Sequence, residues 1–409
     1  MGEKFAQIRM SRRKFLKYAG ASALLGLSGC VLPPATPAPV PKKPIRIGAS
    51  LSLTGTYART GQDQRNGYEL WRKDVNERGG LLGRQVEFVF YDDESKPETG
   101  AKLYEKLITE DKVDLVLGPY SSPVTFAAST VTEKYKHPMV ATGSAATNIW
   151  GRGYRYVFQV YTPDDFYMDG AVIFGAEKGA KTMAIINENT VFAKGAARGA
   201  TKKAKEVGIQ VVFTEEYTRG APDFSPLLSK IKALNPDILL GGTYLPDSVL
   251  ITRQAKELDV NPKMFAFSVG PALPDFYKSL SKDAEYIFGA SQWEPSLKLP
   301  GVKEFVEKYK AAYNAEPGYH AAGGYGGAQI LEEAVKKVGS IDLEKIRETL
   351  AAMETTTIFG KYKVNEQGLQ VVKPSYMTQW QEGKREIVYP KEAATAEPRY
   401  PTPPWKERK

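Results

Sequence analysis

Cysteine and histidine are almost absent from this chain. The single cysteine, Cys30, allows no internal disulfide. With only His137 and His320 beside it, a His- or Cys-rich metal site is excluded, and a Ser-His-Asp or Cys-His catalytic device has little to draw on. No dinucleotide fingerprint is present. The run Gly323-Gly324-Tyr325-Gly326-Gly327 follows a helical stretch and lacks the G-x-G-x-x-G spacing, so it reads as a place where helices pack closely. Paired carboxylates suited to acid–base work do not stand out either. These absences argue against an enzyme and against any bound cofactor. Excess positive charge is also scarce once it is located. The formal charge is +9, but residues 1–29 hold six Lys/Arg against one Glu. The remainder carries 50 basic and 46 acidic residues, a difference of +4, and offers no basic stripe for nucleic acid.

What is present begins with a leader. Ser11-Arg12-Arg13-Lys14-Phe15-Leu16-Lys17 has the twin-arginine export pattern. The apolar stretch at 18–27 is half the roughly 20 residues a membrane span needs, and suits a signal peptide. It ends in Leu27-Ser28-Gly29-Cys30, which looks like a lipobox, placing the only cysteine where lipidation and cleavage would occur. The proline-rich segment 31–41 then reads as an extended tether.

From Ile45 onward, strand-like apolar runs alternate with helical patterns. Runs at 45–51, 86–91, 113–117 and 139–142 are separated by helical patterns at 62–78, 97–110 and 122–135. The alternation restarts after Val160, with strands at 183–186, 211–213, 238–240 and 264–267 and helices at 165–178, 193–207, 223–234 and 247–259. Such alternation means parallel sheets wound by right-handed crossovers, and two series mean two α/β lobes. Residues 301–354 read as mostly helical and 359–390 as short strands. Ligands of such sheets sit at the carboxyl ends of the strands, where helix N-termini converge.

The body carries Ile47-Gly48-Ala49-Ser50-Leu51-Ser52-Leu53-Thr54-Gly55, Asn66-Gly67-Tyr68-Glu69-Leu70 and Gly79-Gly80-Leu81-Leu82-Gly83 in order. Tyr91-Asp92-Asp93-Glu94, Gly118-Pro119-Tyr120-Ser121-Ser122 and Gly143-Ser144-Ala145-Ala146-Thr147 follow, then Asp223-Phe224-Ser225, Gly360-Lys361-Tyr362 and Gln379-Trp380. In this series the chain resembles the type I periplasmic binding proteins of the leucine/isoleucine/valine-binding kind, over about residues 44–390. The resemblance implies a Venus flytrap: two doubly wound parallel-sheet lobes joined by a three-segment hinge, with crossings near 160, near 290 and within 340–375. It divides the chain into a signal peptide (1–29), a lipidated tether (30–43), lobe 1 (44–160 plus about 291–355), lobe 2 (161–290 plus about 356–390) and a C-terminal tail (391–409).

By the same resemblance, the hydroxyls of Ser122 and Thr147 hold a ligand carboxylate, the carbonyl of Ala145 takes an ammonium, and Tyr120 and Ser121 adjoin them. Phe192 and Tyr244 would close over the ligand from lobe 2, and His320, beside Tyr319, would line the side-chain pocket. Ser122 also follows a strand and opens a helix, where free N–H groups favour an anion; the other reading of Ser122 and Thr147 is as helix caps. Phe192 and Tyr244 read equally as core residues. The implied partners are a small-molecule ligand, ABC permease and ATPase subunits and, through Cys30, a membrane; the chain is expected to be monomeric.

Two departures from the pattern matter for the ligand. The acid that pairs with the ammonium in the amino-acid binders is missing from Phe267-Ser268-Val269-Gly270-Pro271-Ala272, with Asp247 as one candidate substitute, and Thr60 stands where the family has a pocket tyrosine. The ligand is therefore a branched-chain amino acid or a similar carboxylate, or alternatively an aromatic carboxylate, urea or short amide. A sensor role on the same scaffold stays open beside import.

Overall fold

The computed structural model describes residues 43–408, so the twin-arginine motif, the lipobox with Cys30 and the proline-rich tether lie outside the described residues. The first series runs β1 (Ile45–Leu51), α1 (Ala58–Glu77), β2 (Val86–Asp92), α2 (Pro97–Thr109), β3 (Leu115–Leu117), α3 (Ser122–Lys134), β4 (Met139–Ala141) and β5 (Val157–Gln159). Its five strands are all parallel, in the order β2-β1-β3-β4-β5. The central strands are buried on both faces, as in β1, where Ile45, Ile47, Ala49 and Leu51 are fully covered, because helices flank the sheet on both sides.

The second series begins with α4 (Asp169–Glu177), β6 (Thr182–Glu188), α5 (Val191–Val207), β7 (Gln210–Tyr217) and α6 (Ser225–Leu234). It continues with β8 (Ile238–Gly242), α7 (Leu245–Glu257), β9 (Met264–Phe267), α8 (Pro274–Leu280) and β10 (Phe288–Ser291). The chain then forms α9 (Val302–Tyr313), α10 (Tyr319–Val338), α11 (Leu343–Ala352), the hairpin β11 (Thr355–Thr357) and β12 (Gly360–Tyr362), and finally β13 (Tyr376–Gln381) and β14 (Lys384–Tyr389). The second sheet has the order β14-β13-β10-β9-β8-β6-β7. Its body is parallel, but β13 pairs antiparallel with both β10 and β14, giving the sheet an antiparallel margin.

The late helices return to the first lobe. Tyr325 donates to Asp74 (2.7 Å) and Trp71 to Glu332 (2.8 Å), tying α10 to α1. The glycines of the seam let the two backbones touch: a Cβ on Gly67 would lie 2.1 Å from the Ala321 carbonyl oxygen, and one on Gly324 2.6 Å from that of Gln64. The hairpin β11–β12 stays on this side, with Tyr362 donating to the Leu350 carbonyl (2.8 Å). The third passage to the second sheet therefore falls between Tyr362 and Tyr376.

The three passages are bonded to one another. Thr162 N donates to Gln292 (2.7 Å), and the Thr162 hydroxyl to the carbonyls of Lys373 (3.0 Å) and Pro374 (3.1 Å). The C-terminal segment packs on the second lobe, where the buried Trp405 donates to the Val260 carbonyl (2.7 Å) under the Arg408 guanidinium.

Candidate functional site

Between the carboxyl ends of the two sheets, twelve residues line a small, partly open cavity. Lobe 1 supplies Tyr120, Ser121 and Ser122 at the start of α3, Gly143 and Ala145 after β4, and Tyr319 and His320 at the start of α10. Tyr161 and Tyr167 come from the first passage between lobes. Lobe 2 supplies Phe192 at the start of α5, Tyr244 ahead of α7 and Val269 after β9. Each comes from a loop or helix start rather than from a strand, because parallel strands bring those segments to one edge.

The entry to α3 is held rigidly. Ser122 Oγ accepts N–H bonds from Ala145 (3.0 Å) and Ala146 (3.3 Å), joining the loops after β3 and β4. Ser52 donates to the Tyr120 carbonyl (2.8 Å) and lies 2.6 Å from an oxygen of Asp93. Burial pushes the Asp93 carboxyl up to about 6. Aromatic rings surround the space. Tyr167 meets Phe192 edge-on at 5.0 Å, and Phe192 meets Tyr244 at 5.7 Å. Tyr120 meets His320 edge-on at 5.0 Å, and His320 lies 3.9 Å from Tyr319.

The polarity of the lining is distinctive. None of the twelve side chains is a carboxylate, lysine or arginine, and burial drives the His320 pKa well below its ordinary value, so the imidazole is neutral. Tyr167 donates to the Tyr319 hydroxyl (3.0 Å). Ser121 Oγ, Tyr161 Oη and His320 Nδ1 are buried without a hydrogen-bond partner.

The sequence expectations divide here. Tyr120, Ser121, Ser122, Ala145, Phe192, Tyr244 and His320 all line the cavity. Thr147 does not: its hydroxyl donates to Asp165 (3.2 Å) and accepts from Arg198 (3.1 Å), while its N–H is taken by Asp164 Oδ1 (3.0 Å). The hinge carboxyls Asp164 and Asp165 thus take the Thr147 groups that were expected to hold the ligand carboxylate. Burial pushes the Asp164 carboxyl up to about 7. The Ala145 carbonyl is also occupied, by Asp164 N (2.8 Å) and Gln159 Nε2 (3.0 Å), so it is not free for an ammonium.

Asp247 lies outside the cavity, accepting from Tyr217 (3.1 Å). Glu188, fully buried, takes Arg219 Nε (2.8 Å), and burial raises both carboxyls above their ordinary range. Thr60 bonds the Tyr57 carbonyl (2.9 Å) and is not among the lining residues. Tyr57 itself packs behind the lining, 4.7 Å from Tyr244 and 5.6 Å from Tyr120. Gly143, Tyr161 and Tyr167 were not anticipated. The two tyrosines sit in a hinge segment, where no periodicity marks a side chain as facing a cleft.

Among the described residues, no group of three or more His, Cys, Asp and Glu could hold a metal, and no helix is long and apolar enough to cross a membrane. The family profile described as periplasmic binding protein matches residues 44–385. The "Leu/Ile/Val-binding protein homolog 7" of Brucella suis is 28% identical over 376 residues, covering 87% of this chain and 94% of that protein. Among solved structures, the branched-chain amino acid transporter substrate binding protein LivJ from Streptococcus pneumoniae, in complex with isoleucine, superposes with a TM-score of 0.77. It is 26% identical, covering 85% of this chain and 100% of its own. An ABC-transporter solute binding protein from R. palustris, in complex with benzoate, has a TM-score of 0.76 at 21% identity over 87% and 97%, a likeness of fold. The chain belongs to the periplasmic binding protein family, within the type I group that contains the leucine/isoleucine/valine-binding proteins.

Proposed function

We propose that this protein is the extracytoplasmic solute-binding component of an ABC importer, and that it captures by lobe closure a small carboxylate without an α-ammonium, an aromatic one fitting the lining best. The observation that carries this reading is the composition of the cavity wall. A carboxylate finds the start of α3 and the hydroxyls of Ser121 and Ser122 there, where free N–H groups and the helix dipole favour negative charge. An ammonium finds no acid, since Val269 occupies the wall after β9, and a buried unpaired charge is costly.

A branched-chain amino acid is the second reading, supported by the relatives' names. It requires the unpartnered Glu188 Oε2, now behind the lining, to reach the amine. A thermal-shift panel on residues 43–409 separates the two, with branched-chain amino acids, benzoate, urea and short amides each at about 100 times an expected Kd, where a ligand adds about 2.7 kcal/mol. Stabilisation by the amino acids and not by benzoate would overturn the reading.

Export by the twin-arginine route and lipid attachment at Cys30 belong to the same proposal, supported by Arg12-Arg13 and by Leu27-Ser28-Gly29-Cys30. Membrane retention of full-length protein should be lost in Cys30→Ala; unaltered retention would remove the anchor.

A further inference from the structure

We infer that Asp93 is a positioning residue for the cavity, its proton deciding whether Ser52 holds the Tyr120–Ser121 peptide at the place where a ligand carboxylate is received. The inference rests on the reading that a carboxylate docks at the start of α3, and holds for either of the two guests weighed above.

One proton must serve two contacts. Ser52 follows β1, and its Oγ stands between Asp93 Oδ1 at 2.6 Å and the Tyr120 carbonyl oxygen at 2.8 Å. A serine hydroxyl has a single proton to give. With Asp93 ionised, one of the two contacts holds no hydrogen, and two oxygens face each other through their lone pairs. With Asp93 protonated, its own O–H donates to Ser52, and the Ser52 proton is free for the Tyr120 carbonyl, so both contacts are bonds. Ser52, Asp93 and Tyr120 are all buried, where a bond left unmade costs the most. Tyr120 and Ser121 both line the cavity, and the carbonyl of one and the N–H of the other share a rigid plane, so the bond from Ser52 orients both.

The surroundings of Asp93 let this proton come and go near neutrality. Ser50 of β1 (3.2 Å) and the Ser95 N–H ahead of α2 (3.0 Å) complete its bonds. Asp92 beside it adds like charge, and the Tyr104 phenol of α2 is neutral because burial drives its pKa well up. Lys96 bonds the Asp93 carbonyl through its N–H (2.8 Å) but turns its ammonium to Glu94 (2.6 Å). Among the described residues that face the Asp93 carboxyl there is thus no cation to hold it ionised. Burial pushes the carboxyl up to about 6, so the proton is lost as pH rises from 5 to 7.5. Ser52 then turns its own proton to the carboxylate, the Tyr120 carbonyl loses that donor, and the peptide at the carboxylate site loosens. Ligand affinity falls with it.

Calorimetric titration of residues 43–409 at pH 5.0 and at pH 7.5 tests the inference, with benzoate and with isoleucine, which both carry a carboxylate throughout that range. The native protein should bind its acid more tightly at pH 5.0, by about threefold or more. Asp93→Asn removes the titrating group and Ser52→Ala the hydroxyl that relays it, so each should bring that ratio close to one, whatever it does to affinity itself. A merely structural role would lower affinity and leave the ratio alone. The carboxyls of Asp164 and Glu188 also titrate in this range, each pushed up to about 7, so a ratio that survives both substitutions would pass the pH dependence to them and overturn the inference. A native ratio of one would overturn it as well. Circular dichroism at both pH values reports whether each variant is folded, and Ser52→Ala, which removes one oxygen only, is the safer of the two. Isoleucine binding with silent benzoate would end the reading of an amine-free guest and leave this inference to be decided by the isoleucine ratio; binding of neither acid would end both.

Discussion

Ser122 has both lone pairs of its hydroxyl committed to the amides of Ala145 and Ala146, so its one proton is left to donate into the cavity. Hydrogen bonds to charged groups contribute about 1.5–3 kcal/mol. Ser122→Ala should therefore weaken binding of the carboxylate ligand by about 10- to 100-fold in calorimetry, at about 1.4 kcal/mol per tenfold. Thr147→Ala, with a hydroxyl turned to Asp165 and Arg198, should change it by less than about threefold; equal losses from both would mean that the loops rearrange on binding. The place of Ser122 in the cavity lining was legible in the sequence because a serine between a strand and a helix faces the sheet edge whatever its neighbours do. That of Thr147 was not, because the carboxyls that take its N–H and hydroxyl, Asp164 and Asp165, arrive from the hinge. Asp164 makes its own prediction. With its carboxyl at about 7, the folded chain keeps a proton between about pH 4 and 7 that the unfolded chain has lost. The folded state binds more protons in that window, so this contribution to stability is present at low pH and falls as pH rises. Melting temperatures of Asp164→Asn should decline less from pH 5 to 7.5 than those of the native chain; parallel curves would refute the assignment.

At the scale of elements, α10 carries both Tyr319 and His320 to the cavity, and its position is set by the glycine seam with α1. Alanine is the better helix former by about 1 kcal/mol, so propensity alone has Gly67→Ala stabilising the protein. The seam predicts the reverse. A Cβ 2.1 Å from the Ala321 carbonyl oxygen must push α10 away, so the melting temperature should fall by several degrees and ligand affinity with it. A rise in melting temperature would show that the seam is slack. The alternation of strand and helix was legible because each period repeats over many residues, as was the glycine seam from its helical context. The allegiance of the short strands was not. β11–β12 and β13–β14 look alike as sequence, yet the first pair stays on the first lobe while the second completes the other sheet. Pairing across 90 residues, as between Phe288 and Gln379, leaves no local trace.

At the scale of the whole molecule, the lobes are held together by contacts that need no ligand. Arg59 of α1 bonds Asp275 of α8 at 2.7 Å, and the Arg219 guanidinium of lobe 2 lies 4.7 Å over the ring of Tyr57. The ion pair is partly exposed, at 38% and 27%, so its contribution is about 0–1 kcal/mol and weakens with salt. Asp275→Asn should lower ligand affinity by about two- to fivefold at low ionic strength, and the difference should shrink in 0.5 M salt; no change at either would mean that closure does not involve this contact. The central claim concerns the guest the closed lobes grip. Its most direct test is isothermal titration of the same protein sample with benzoate and with isoleucine. The account predicts saturable binding of benzoate and none of isoleucine, and saturable isoleucine binding with silent benzoate would contradict it.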